Sequence, residues 1–254
     1  MNQVRFLEVA PRNKYLMNVY WTAYTQFDTV GPFKFNEPYP VTKAVNDAYP
    51  DLDAFNSAEN FHLCPAFKDH FANTFELRFP NNYNFHFEGD QVRSSNYDQK
   101  YWDEMVMVRA PRINLYSYRL RYLFFCEESL EMSLEPAYFS ETEFAKNTMF
   151  CAGKFNIGRW FRATDCTFFV KQGVKDLFMM ENEPFCYAKF HTDKKINFKR
   201  FYRTDKIKQL HQDMLDAREF RAKKVYPLAW FYSLFQNVKV KSLLLDEIKS
   251  NLME

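Results

Sequence analysis

The most basic stretch of this chain lies between Lys189 and Lys208, where eight Lys and Arg outnumber two Asp for a net +6 in 20 residues. Phe190, Phe198, Phe201 and Tyr202 are interleaved with it. On a strand, Lys199, Phe201 and Arg203 share one face, and Phe198, Arg200 and Tyr202 share the other. Cationic heads beside π-faces suit phosphates and unstacked bases. The same pattern also fits a solvated strand pair whose rings enter the core. A second cationic motif, GRWFR, sets Arg159 and Arg162 around Trp160-Phe161. A guanidinium beside an aromatic can grip a phosphate or carboxylate bidentately. It can equally stack on Trp160 and bond loop carbonyls. The candidate ligand-binding set is therefore Arg159, Trp160, Arg162, Lys199, Arg200 and Arg203.

Other groupings carry less chemistry. Glu127, Glu128, Glu131, Glu135, Glu141 and Glu143 form an acidic run without Lys or Arg. It can pair with the basic run, within the chain or across copies, or stay a plain acidic surface; it lacks calcium-loop spacing. His191-Thr192-Asp193 has the HxD of jelly-roll iron oxygenases, but the only downstream His, His211, is 20 residues on in an expected helix. A facial triad does not fit that spacing. His62, Cys64, Cys186 and His191 are of zinc-ligand type but lack paired knuckles. A Cys/His nucleophilic pair needs only spatial adjacency and stays open. No catalytic residue, metal or cofactor is assigned.

Composition narrows the field. The chain has 254 residues, net charge +2, 29 Phe, 16 Tyr and only 5 Gly. No two glycines are close enough to write a phosphate loop or a GxGxxG turn. ATPase, Rossmann and kinase readings are accordingly poor. The overall charge gives no general attraction to nucleic acid, so such binding needs a local patch. Five widely spaced cysteines without CxxC suit reduced thiols in a cytosolic setting. The N-terminus lacks an apolar h-region, and the most apolar stretch, Leu228 to Leu245, is interrupted by Lys239 and Lys241. Neither a signal peptide nor a membrane span is expected.

The elements that must position these groups follow from periodicity. Strands are expected at Val4–Ala10 and Asn18–Gln26, a loop from Gly31 to Pro40, and a short helix at Val41–Ala48. Phe67, Phe71 and Phe75 at four-residue spacing predict a helix over Pro65–Phe75. Tyr83, Phe85 and Phe87 alternate with polar residues before Gly89-Asp90, a hairpin signal. Asn114–Cys126 alternates Tyr116, Tyr118, Leu120 and Tyr122 with Leu115, Ser117, Arg119 and Arg121, as a long strand with one face toward a core would. Glu131–Glu135 continues that logic. Antiparallel strands are expected at Thr148–Phe155, Cys166–Lys171, Leu177–Glu181, Pro184–His191 and Ile196–Tyr202, with turn residues about every ten positions. Then Asp205–Lys224 reads as an amphipathic helix N-capped by Thr204, and Leu228–Leu252 as a second helix covering the sheets or docking on a partner. The expected fold is mainly β (α+β): an antiparallel β-sandwich or jelly-roll-like core over residues 1–204, with a short N-terminal helix, and a C-terminal appendage of two helices over 205–254.

GKFNIGRWFRATDCTFF (Gly153–Phe169), ENEPFCYAKFHTDKKINFKRF (Glu181–Phe201) and CPAFKDHFANTFELRFP (Cys64–Pro80) resemble an uncharacterised protein family of contractile-tailed, often marine, bacteriophages. The resemblance covers about a quarter of the chain directly. It implies a viral protein in the host cytoplasm or the virion and transfers no catalytic residue. With no catalytic signature beside abundant aromatic and basic surface, the first expectation is a non-enzymatic phage accessory or virion-associated protein. It would bind a phage or host protein, or a second copy of the chain. The alternatives are an enzyme or binder of a small anionic, nucleotide-like ligand in the sandwich mouth, and a single-stranded nucleic-acid binder.

Overall fold

The structure is a computed structural model that describes residues 16–23, 36–48, 64–88, 90–222 and 238–253. In chain order its elements are β1 (Leu16–Ala23), β2 (Tyr39–Pro40), α1 (Val41–Ala48), α2 (Pro65–His70), β3 (Thr74–Arg78), β4 (Tyr83–Glu88), β5 (Gln91–Arg93), α3 (Gln99–Met105), β6 (Val106–Ala110), β7 (Leu115–Cys126) and β8 (Glu131–Pro136). There follow α4 (Glu143–Asn147), β9 (Thr148–Cys151), β10 (Gly153–Asn156), β11 (Ala163–Val170), β12 (Asp176–Met179), β13 (Pro184–Phe190), β14 (Lys195–Arg200), α5 (Asp205–Ala222) and α6 (Val238–Ser250). The fold is mainly β and sandwich-like, as its alternating aromatics require.

The first sheet runs β14-β1-β7-β11-β9, with β6 also on β7; the second runs β10-β8-β13-β3-β2. β7 is long enough that one edge carries β11 while the other carries β6 beside its first half and β1 beside its second. Tyr116, Tyr118, Leu120, Tyr122 and Phe124 all enter one buried cluster with Met132 and Leu134 of β8 and Ala188 and Phe190 of β13. The two sheets therefore stack through their inner faces, as a period of two demands. A small third sheet, β12-β4-β5, closes one end of this core. Its Tyr83 and Phe85 pack on Trp102 at 5.5 and 4.6 Å between ring centroids.

Both outer faces are also partly covered. Val41 and Val45 of α1, with Phe67 and Phe71, lie over Tyr187 of the second sheet. On the first sheet, Tyr20, Leu123, Phe125 and Phe161 pack against Ile207 of α5 and Leu244, Leu245 and Ile248 of α6. Thr204 caps α5 as expected, accepting from Ile207 N at 3.2 Å, and its hydroxyl donates to Glu247 of α6 at 2.9 Å.

Several expectations need correcting. The helix expected over Pro65–Phe75 ends at His70, and Phe75 belongs to β3, paired with Ala188. Asn73 turns the chain with φ +54°, so the third Phe of the spacing serves a strand. The single strand expected at Thr148–Phe155 is two, β9 and β10, in different sheets. Not every pair is antiparallel: β1 and β14 run parallel. Elements α3, β6 and α4 had no sequence signal strong enough to announce them. The strand expected at Val4–Ala10 and the segment Leu228–Asn237 of the second expected helix lie outside the described residues.

Candidate functional site

Along β11, Cys166, Phe168 and Val170 enter the core, so Asp165, Thr167 and Phe169 lie on the outer face of the first sheet. β7 contributes Ser117 and Arg119 to that face, and β6 contributes Met107 and Arg109. In register, Asp165 stands opposite Arg119, and Thr167 lies between Ser117 and Cys151. Arg109 Nε donates to Ser117 Oγ at 2.9 Å, and Ser117 and Thr167 share a hydroxyl hydrogen bond of 2.7 Å. This polar half of the face lies beside the apolar half under α5 and α6.

A cleft of about 410 Å³ opens at its margin, lined in part by Trp160, Arg162, Asp165, Thr167, Cys151 and Phe155. It arises where Ala152 carries the chain from β9 in one sheet to β10 in the other. The Ile157–Arg162 loop forms its wall. Ile157 bonds Leu130 through its N–H and Cys126 N through its carbonyl. Gly158 is required there: a Cβ would overlap the Glu128 carbonyl oxygen. Lys241 of α6 donates to Gly158 O at 3.0 Å.

Arg162 lies 5.4 Å from the Trp160 ring centroid, donates to Ala163 O at 3.3 Å and reaches Asp165 at 3.4 Å. This is the stacked, carbonyl-bonded arrangement that was the structural alternative for GRWFR. It leaves Arg119, half-buried and opposite the same carboxylate, with no ion pair among the described residues. Burial pushes the Cys151 thiol up, which disfavours thiolate chemistry in the cleft.

The six expected ligand residues divide. Trp160 and Arg162 line the cleft, and Arg159 is exposed on the same loop. Arg203 is near enough that its charge and that of Arg162 both help depress His211. Lys199 and Arg200 sit on β14, at the far edge of the sheet, on opposite faces. Arg200 stacks over Trp21 at 5.0 Å, while Lys199 is exposed beside Tyr20.

Three cations of the basic run are paired locally. Lys194 pairs with Glu128 at 2.7 Å, Lys206 with Glu247 at 2.9 Å and Lys208 with Asp205 at 3.1 Å. The acidic run is thus partly an intrachain partner, with Glu127 also held by Lys249 at 3.0 Å and Glu131 by Lys154 at 2.7 Å. His191 bonds Ser133 at 3.0 Å. Among the described residues no three His, Cys, Asp or Glu come together as a metal site; His62 lies outside them. Cys186 faces Cys166.

Sequence reasoning missed Arg109, Arg119, Ser117, Thr167 and Asp165 as a group. The alternation placed Ser117 and Arg119 opposite the tyrosines, but the neighbours of β7 are not local in sequence. No family model, curated protein or solved structure matches this chain.

Proposed function

We propose that this chain acts by binding, and that its ligand is a small phosphate-bearing anion held on the open face of the first sheet beside the Trp160 cleft. The observation that carries this reading is Arg119. It is a half-buried guanidinium whose cross-strand carboxylate, Asp165, is engaged by Arg162. Arg109, Arg119 and Arg162 together outnumber that one acid, with the Ser117–Thr167 hydroxyls between them. A fixed guanidinium fork matches phosphate geometry, and partial burial reduces screening of its charge. The phage-family resemblance supplies a setting for such a binder, in host cytoplasm or virion, but no ligand.

Calorimetric titration with inorganic phosphate, pyrophosphate, tripolyphosphate and nucleoside triphosphates tests the proposal. Binding should weaken with added salt. Arg119→Ala should cost about tenfold or more in affinity, roughly 1.4 kcal/mol, without altering the circular dichroism spectrum. No heat at millimolar ligand, or undiminished affinity in Arg119→Ala, contradicts it. Single-strand binding by the basic run finds less support, because Lys194, Lys206 and Lys208 are already paired.

A further inference from the structure

Two thiols meet at the centre of the sandwich. Cys166 on β11 and Cys186 on β13 lie 3.8 Å apart, Sγ to Sγ, one from each sheet. Both are fully buried free thiols. Cys186 takes its inward place in the alternation of β13 with Ala188 and Phe190, while Tyr187 faces outward. Between Pro184 and Cys186, β13 takes two steps while β3 takes one, from Arg78 to Leu77. Strict alternation would turn Phe185 away from the core that Cys186 enters. This β-bulge lets Phe185 enter it as well.

We propose that Cys166 and Cys186 form an inter-sheet disulfide when the chain folds in the presence of a small-molecule disulfide oxidant such as glutathione disulfide. One cysteine, as its thiolate, attacks the oxidant; that S–S bond breaks, and one glutathione leaves as thiolate and takes up a proton. The other cysteine, deprotonated, attacks the mixed disulfide and releases the second glutathione. Two protein thiols are oxidised to one disulfide, and one glutathione disulfide is reduced to two glutathiones. Closure belongs to folding, before the sheets finish docking. Once the core is closed, burial and the neighbouring thiol hold Cys166 well above the ordinary thiol range, and no oxidant reaches it. The finished bond would be equally shielded from reductant.

The test uses the full chain, unfolded and reduced, then refolded in a glutathione redox buffer. Unfolding in excess iodoacetamide and non-reducing peptide mapping follow. The expected product is one cross-linked pair containing Cys166 and Cys186, two hydrogens lighter than the reduced peptides. The oxidised protein should melt about 5–10 °C above protein refolded in reductant. Alkylation of both cysteines, or pairing dominated by Cys64, Cys126 or Cys151, overturns the proposal. No substituted protein is needed, so a folding defect cannot obscure the result.

Discussion

His211 shows what a single buried side chain does to the whole stability curve. It lies on α5, 2% exposed, with Phe161 at 5.9 Å and the charges of Arg203 and Arg162 nearby. Burial first, then those cations, pull its pKa down to about 4 from an ordinary 6.5. The unfolded chain therefore takes a proton below pH 6.5 that the folded chain refuses until about pH 4. Stability should fall as pH drops through that window, by up to about 3 kcal/mol, and the His211 contribution should flatten below it. Urea melts at steps across the window check this. His211→Gln should remove most of the slope; an unchanged slope assigns it to other groups. The residues of the proposed site were only partly legible at this scale. GRWFR offered an arginine stacked on Trp160 as one of two arrangements, yet nothing in its spelling says that Arg162 would also reach Asp165. The alternation already sent Lys199 and Arg200 to opposite faces of a strand, as β14 has them, but it did not show that Arg200 would lie over Trp21.

Among the elements, the loop before β11 is tightly constrained at Gly158. Gly158→Ala must push the Glu128 backbone aside. Overpacking against main chain costs about 1–3 kcal/mol, and the displaced loop should also weaken anion binding, since it carries Trp160 and Arg162. A denaturant melt paired with the calorimetric titration measures both effects; a stable variant with full affinity would show that the loop does not set the cleft. Thr204→Ala should cost about 1 kcal/mol, because it removes both the α5 cap and the bond to Glu247. Most strands were readable because their inward residues are aromatic and alternate strictly, as in β4 and β7. The break at Ala152 was not, since β9 and β10 continue one apolar rhythm while changing sheets. Likewise Phe75 keeps a helical spacing from Phe71 but pairs with β13, a tertiary contact that local pattern does not contain. β7 also hides an irregularity: it takes four steps from Arg119 to Leu123 while β11 takes two, with Arg121 at φ +60°. An even number of extra residues preserves the alternation, so the sequence shows no trace of it.

For the molecule as a whole, the boundary expected at 204/205 separates strand from helix but not one core from another. Tyr20, Leu123, Phe125, Phe161 and Phe201 share a buried cluster with Ile207, Leu244, Leu245 and Ile248, and Phe201 bridges to Leu252. A chain ending at 204 should therefore expose that face and lose cooperative unfolding or aggregate. A sharp, unshifted melt of the truncated chain would establish an independent β-domain. Ile248→Ala, a milder probe, should cost about 2–5 kcal/mol. The same covering divides the first sheet's outer surface in two, an apolar half under α5 and α6 and a polar half holding the arginines. The most direct measurement of that division is the guanidinium Nε–Hε spectrum of the ¹⁵N-labelled chain during titration with pyrophosphate. Saturable shifts at Arg109, Arg119 and Arg162, with Arg200 unmoved, are the expected result. Shifts confined to Arg200 and Arg203, or none at all, would contradict the site.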